Sequence, residues 1–187
     1  MRWKSFIFFV VIILCLRFLD LFITFQYTPD LQFEWNPMIS FFGMSWIGFL
    51  VTQFIIVIFV SIFMFFYFNR KPITIFQTGL SYYNFIYVYF FGKLRPWPNR
   101  IFSFPTNYSR HLIFNGFIFM FITILISLLA ITNNILLILH NHAYVNFVAN
   151  HYSIYFPSCF IFITIASVYI FFTIEYLSYL KQKKIGL

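Results

Sequence analysis

Four long stretches of this chain are almost free of charge, at about Ser5 to Gln26, Met44 to Phe68, Leu112 to Leu139 and Ile154 to Leu180. Lipid offers no partner for backbone N–H and C=O groups, so a segment that crosses it must close its hydrogen bonds internally, and roughly 20 apolar residues in a helix cover the hydrocarbon core. Each stretch is long enough. Among the 12 Lys and Arg, Arg17 alone falls inside one of them, and the chain has only four carboxylates, Asp20, Asp30, Glu34 and Glu175. Charged residues make up 9% of the chain, against about a quarter in soluble domains. These observations predict an all-α integral membrane protein, a single membrane domain over residues 1–187 with four transmembrane helices, and they exclude a soluble globular fold.

Orientation follows from the basic residues. Arg2 and Lys4 precede the first stretch, Arg70, Lys71, Lys93, Arg95, Arg100 and Arg110 lie between the second and third, and Lys181, Lys183 and Lys184 follow the fourth. The remaining connections, Tyr27 to Gly43 and His140 to Ser153, contain no Lys or Arg. The positive-inside rule then places both termini in the cytoplasm. Arg17 and Asp20 interrupt the first stretch and no small-x-small cleavage site follows, which reads as an uncleaved helix and not a secretory leader. A net charge of +8 invites a nucleic-acid reading. Topology and attraction to anionic lipid headgroups on the cytoplasmic side account for that charge, so no nucleic-acid partner is expected. A bacterial inner membrane is the favoured location and an organellar membrane the alternative.

The stretch from Pro72 to Gly92 is apolar enough to raise a fifth crossing, but Gln77, Gly79, Ser81 and Asn84 dilute it and basic residues flank both ends. A segment lying in the interface, with Tyr82, Tyr83, Tyr87 and Tyr89 at headgroup depth, fits better, and a re-entrant segment comes second. Residues 93 to 110 contain Pro96, Trp97, Pro98 and Pro105 and read as an irregular surface loop.

The exceptional charges are Arg17 and Asp20. With Thr24 they are spaced by three and four residues and share one helix face. Counted from Ser5, they lie roughly 18 to 29 Å along the helix, in its outer half. A buried charge costs several kcal/mol unless paired, so the two are expected to form an ion pair facing the bundle interior. The connection that follows adds Asp30, Glu34 and Asn36, with Pro29 and Pro37 fixing turns, and Glu34 and Asn36 are placed to fold back toward Asp20. A solvated acidic loop is the plainer reading.

Asp20-x-x-x-Thr24 followed by Glu34-x-Asn36-Pro37 and a second apolar helix resembles a family of small uncharacterised polytopic membrane proteins of bacteria and archaea with the same D-x3-T and E-x-N-P pattern. The resemblance covers about residues 16 to 60. It implies a small integral membrane protein with no established activity and marks Asp20, Thr24, Glu34, Asn36 and Pro37 as motif positions. Arg17 and the histidines fall outside it.

The second outer connection carries His140, His142 and His151. On an extended strand His140 and His142 share one side, and His151 with a carboxylate of the first loop would complete a site for zinc or a similar divalent ion. Interfacial histidines in a loop without Lys or Arg are the alternative, and no cofactor is required by any other motif. Cys15 and Cys159 lie at different depths and read as packing residues. Glu175 calls for a partner, either Lys181 or an Arg of the middle segment, and Ser127, Thr132, Asn133 and Asn134 give the third span a polar stripe suited to contact inside the bundle.

Two functional classes follow. One is a noncatalytic subunit or assembly factor of a membrane complex, or a homo-oligomer, whose 32 Phe supply broad surfaces for lipid and partner helices. The other is a membrane enzyme or small transporter with an outward-facing polar site built on Arg17, Asp20 and Glu34, in which a carboxylate serves as base or proton carrier and Arg17 holds an anionic group.

Overall fold

The computed structural model describes residues 2–31, 43–71, 75, 77–96, 107–139 and 142–184. Five helices lie in this part: α1 (Trp3–Tyr27), α2 (Trp46–Phe68), α3 (Tyr82–Phe91), α4 (Tyr108–Ile138) and α5 (His142–Lys184). No strand occurs among the described residues. Four helical segments, α1, α2, α4 and Ile154–Lys183 of α5, are long and apolar enough to cross a membrane, as the sequence predicts. Their lipid-facing sides are dense with exposed Phe, Ile and Leu, such as Phe18, Phe54, Ile47 and Phe162. Such surfaces suit a hydrocarbon solvent and not water.

Polar caps set several helix starts. The Ser45 hydroxyl accepts from the Gly48 amide (3.5 Å), Ser81 from Asn84 (3.4 Å), and the Asn107 amide oxygen from Arg110 (3.2 Å). Each satisfies an amide that the first turn of a helix leaves without an intrahelical partner. After α1, the Leu31 amide donates to the Thr28 carbonyl (3.0 Å), closing a turn in which Leu31 takes the left-handed φ of 61°. That conformation costs roughly 1–2 kcal/mol for a residue with a Cβ. Burial of Leu31 against Phe49, Leu21, Met44 and Trp46 offsets it, and the Trp46 indole N–H donates to the Pro29 carbonyl at 2.6 Å.

Helix α4 is the hub, touching every other helix. Among its buried residues Ile113, Gly116, Met120, Thr123, Ser127, Ile131 and Asn134 recur every three or four positions, with Phe117 and Ile118 widening the face, so one stripe faces inward along its length. Gly116 permits the closest approach: a Cβ there would collide with the Phe63 carbonyl of α2. Small residues at such crossings let helices pack in lipid, where no hydrophobic drive brings them together.

Two sets of contacts define the ends of the bundle. At one end the Arg2 amide donates to the Phe68 carbonyl (3.3 Å), Arg70 pairs with Glu175, and the Tyr176 hydroxyl donates to the Leu80 carbonyl (3.1 Å). The starts of α1 and α4 and the ends of α2 and α5 therefore share this end with α3. At the other end Thr24 meets Asn134 and Trp46 meets Pro29.

Helix α3 has ten residues, about 15 Å of rise and half the hydrocarbon thickness. It lies within the stretch expected in the interface and makes no fifth crossing. Phe85, Val88 and Tyr89 bury its inner side against Phe171, Phe172, Tyr176 and Tyr179. Arg110 fastens its C-terminal turn by donating to the carbonyls of Val88 (3.1 Å) and Tyr89 (2.7 Å). A cation at that terminus also complements the helix dipole.

One expectation needs correction. The connection from His140 to Ser153 reads as a loop in the sequence, yet α5 begins at His142 and continues through Pro157. No Gly or Pro occurs between His142 and Phe156 to stop it. Phe147 stacks on His151 one turn away (5.0 Å between rings) and meets Tyr155 edge-on (5.5 Å), and Val148 is buried. Intrahelical aromatic contacts and tertiary burial outweigh the polarity of the segment.

Candidate functional site

Arg17, Asp20 and Thr24 of α1 follow one another along one helix face, the first two as an ion contact and the third bonded to α4. Arg17 and Asp20 lie one turn apart with Nη1 to Oδ2 at 3.6 Å, and both side chains are largely buried. At 3.6 Å the pair is an ion contact and not a hydrogen bond. The Arg17 Nε–H is buried and has no hydrogen-bond partner among the described residues. Thr24 is 2% exposed and its hydroxyl oxygen accepts from the Asn134 side-chain amide at 3.0 Å.

Asn134 extends this contact into a relay across three helices. Its amide oxygen accepts from the Asn133 side chain (3.0 Å), whose own oxygen accepts from the Tyr144 hydroxyl of α5 (2.7 Å). Every donor in the series points toward Thr24, one turn from Asp20. Burial, with Tyr155 adding to it, pushes the Tyr144 phenol up to about 12, so Tyr144 keeps its proton and stays a donor at neutral pH. Asn133 and Asn134 thus provide the contact inside the bundle that their position in the third span predicts. Ser127 turns inward as well and donates to the Thr123 carbonyl at 2.7 Å, whereas Thr132 is exposed and donates to Leu128 of its own helix.

Gln53 is the residue that sequence reasoning missed. It is 5% exposed, and its amide oxygen is buried without a hydrogen-bond partner among the described residues. With Arg17 it lines a lateral groove of about 490 Å³ between α1 and α2, whose walls include Leu14, Phe18, Leu50 and Phe54. The available signal was a lone amide in the middle of an otherwise apolar span, a costly placement in lipid.

The other predicted residues divide by location. Glu34, Asn36 and His140 lie outside the described residues. Asp30 is exposed beyond the end of α1. His142 and His151 lie on the helix and not on an extended strand, nine residues apart. They therefore face opposite sides at roughly 13 Å along the axis, so an ion bound there would use at most one of them, since metal–nitrogen bonds measure about 2 Å. The His151 Nδ1 is 3.0 Å from the Phe147 carbonyl. Among the described residues no group of three His, Cys, Asp or Glu side chains gathers.

Glu175 finds the middle-segment arginine: Arg70 pairs with it, and the guanidinium also lies 4.4 Å from the centre of the Tyr67 ring. This pair sits among aromatic rings at the opposite end of the bundle from Asp20 and ties the segment just after α2 to the C-terminal part of α5. Cys15 and Cys159 are both free thiols.

Comparisons of the chain with protein-family models, with curated proteins and with solved structures find no match.

Proposed function

We propose that this protein is a noncatalytic subunit or assembly factor of a membrane complex, lying in a bacterial inner membrane with both termini in the cytoplasm, and that it binds a transmembrane helix of a partner protein in the groove between α1 and α2. The lateral groove with Arg17 and Gln53 in its lining carries this reading. In hydrocarbon an unpaired donor and an unpaired acceptor each cost several kcal/mol. Arg17 Nε and Gln53 Oε1 are one of each. Arg17 lies ten residues from the end of α1 and Gln53 seven from the start of α2, which puts them about 15 and 10 Å below the helix ends. Phospholipid ester groups stay near the headgroup boundary and do not reach that depth. A side-chain hydroxyl, amide or carboxyl on a neighbouring helix does, once Arg17 and Gln53 rotate toward it.

A photoreactive residue placed at Phe54, compared with one at Phe162 on α5, tests the reading in native membranes. A discrete protein adduct from Phe54 that disappears in Gln53→Leu supports it. Lipid adducts alone from both positions refute it.

The relay from Tyr144 to Thr24 favours a second reading, an enzyme or small transporter whose outward-facing site uses Asp20, Arg17 and Glu34. Donors aligned toward Thr24, one helical turn from the buried Asp20 carboxylate, suit proton or cation handling. If this reading holds, Asp20→Asn abolishes ion flux or turnover in proteoliposomes while membrane insertion stays intact.

A further inference from the structure

The end of the bundle that holds Arg70 is strongly basic, and among the described residues its one carboxylate, Glu175, is taken by Arg70. Arg110 is likewise engaged, on the carbonyls of α3. Arg2, Lys4 and Lys71 differ from these. The backbone hydrogen bond from Arg2 to Phe68 sets the start of α1 beside the end of α2, and all three side chains are exposed. Directly inward lies an aromatic face: Trp3, Phe6 and Phe65 meet edge-to-face at 6.1 to 6.4 Å between centroids. Trp3 is 54% and Phe65 36% exposed. Three exposed cations beside the exposed rings of Trp3 and Phe65 form an amphipathic surface with a cationic half-site and an apolar half-site, matching the order in which a phospholipid presents its phosphate and its acyl chain.

We propose that Arg2, Lys4 and Lys71 hold the phosphate of an anionic phospholipid whose acyl chain lies along Trp3 and Phe65. Each basic side chain near a membrane surface contributes attraction to anionic lipid, and indole rings settle at headgroup depth. A free phosphate would use the cations and leave the aromatic face unused. This site needs the four helices to span a membrane but is independent of the partner helix proposed for the α1–α2 groove.

The test is lipid retention, counted by native mass spectrometry on protein purified in an uncharged detergent with its affinity tag at the C-terminus. One short-chain phosphatidylglycerol should be retained, with phosphatidylcholine at least tenfold weaker. Lys4→Gln with Lys71→Gln should weaken retention by about tenfold or more, and Lys181→Gln with Lys183→Gln should leave it unchanged. Trp3→Ala should weaken it several-fold with all cations in place, and inorganic phosphate should not displace the lipid. Equal losses in the two double variants would mean diffuse charge attraction, and displacement by phosphate would mean a site for a free anion; either overturns the proposal. If the Lys4 and Lys71 variant does not elute as a folded species, Arg2→Gln, which precedes α1, decides the question.

Discussion

Among the described residues the molecule buries two ion pairs, and they are built differently. Arg70 and Glu175 touch directly at the basic end, where the Tyr67 ring supports the guanidinium and the neighbouring aromatic packing is dense. Arg17 and Asp20 stand 3.6 Å apart, with the Arg17 Nε unpartnered and a groove beside them. The first pair is in close contact and walled by aromatic rings, whereas the second is looser and lies beside a groove; each guanidinium keeps one buried N–H without a hydrogen bond among the described residues, Nη1 of Arg70 and Nε of Arg17. On the function proposed above, the groove places a partner helix at the second pair, and the first serves stability.

This contrast makes quantitative demands on variants. Glu175→Ala strands a buried guanidinium and should destabilise the protein by about 3–5 kcal/mol, seen as a large drop in thermal unfolding temperature in detergent; a smaller effect than that of Asp20→Ala would reverse the roles assigned to the two pairs. Gly116→Val forces α2 and α4 apart at the Phe63 carbonyl, with an expected cost of about 1–3 kcal/mol in the same assay. Asn134→Leu cuts the relay at Thr24 and should cost about 0.6–1.7 kcal/mol, the range for interhelical hydrogen bonds in membranes. Gln53→Leu removes a buried acceptor with no partner, so stability should hold or rise slightly while the cross-link from Phe54 is lost. A clear loss of stability in Gln53→Leu would show that Gln53 completes the fold and not an interface.

Much of the scaffold is legible in the sequence because lipid imposes so few solutions. The span expected from Ser5 to Gln26 becomes Trp3–Tyr27, and that from Met44 to Phe68 becomes Trp46–Phe68. The early start of α5 is not legible, since polarity marks water exposure but does not separate a loop from a solvated helix. Within the site, the shared face of Arg17, Asp20 and Thr24 follows from spacing alone. Asn134 is 110 residues from Thr24, and nothing in one sequence selects it among the polar residues of the third span. Tyr144 escaped notice for the same reason as the α5 extension: its segment read as a loop. Gln53 carries no charge and its span is otherwise apolar, so only its single amide distinguishes it in the sequence.

Pro157 lies inside the long fifth helix. Its ring removes one rung from the backbone ladder and is a usual place for a helix to bend. The 43-residue rod is thus divided into an upper arm that carries Tyr144 and a lower arm that carries Glu175. A tilt of the upper arm would pull through Tyr144, Asn133 and Asn134 on Thr24, beside Asp20, while Arg70 anchors the lower arm. A bend at Pro157 would thus couple the arm that carries Tyr144 to the turn of α1 that holds Thr24 and Asp20.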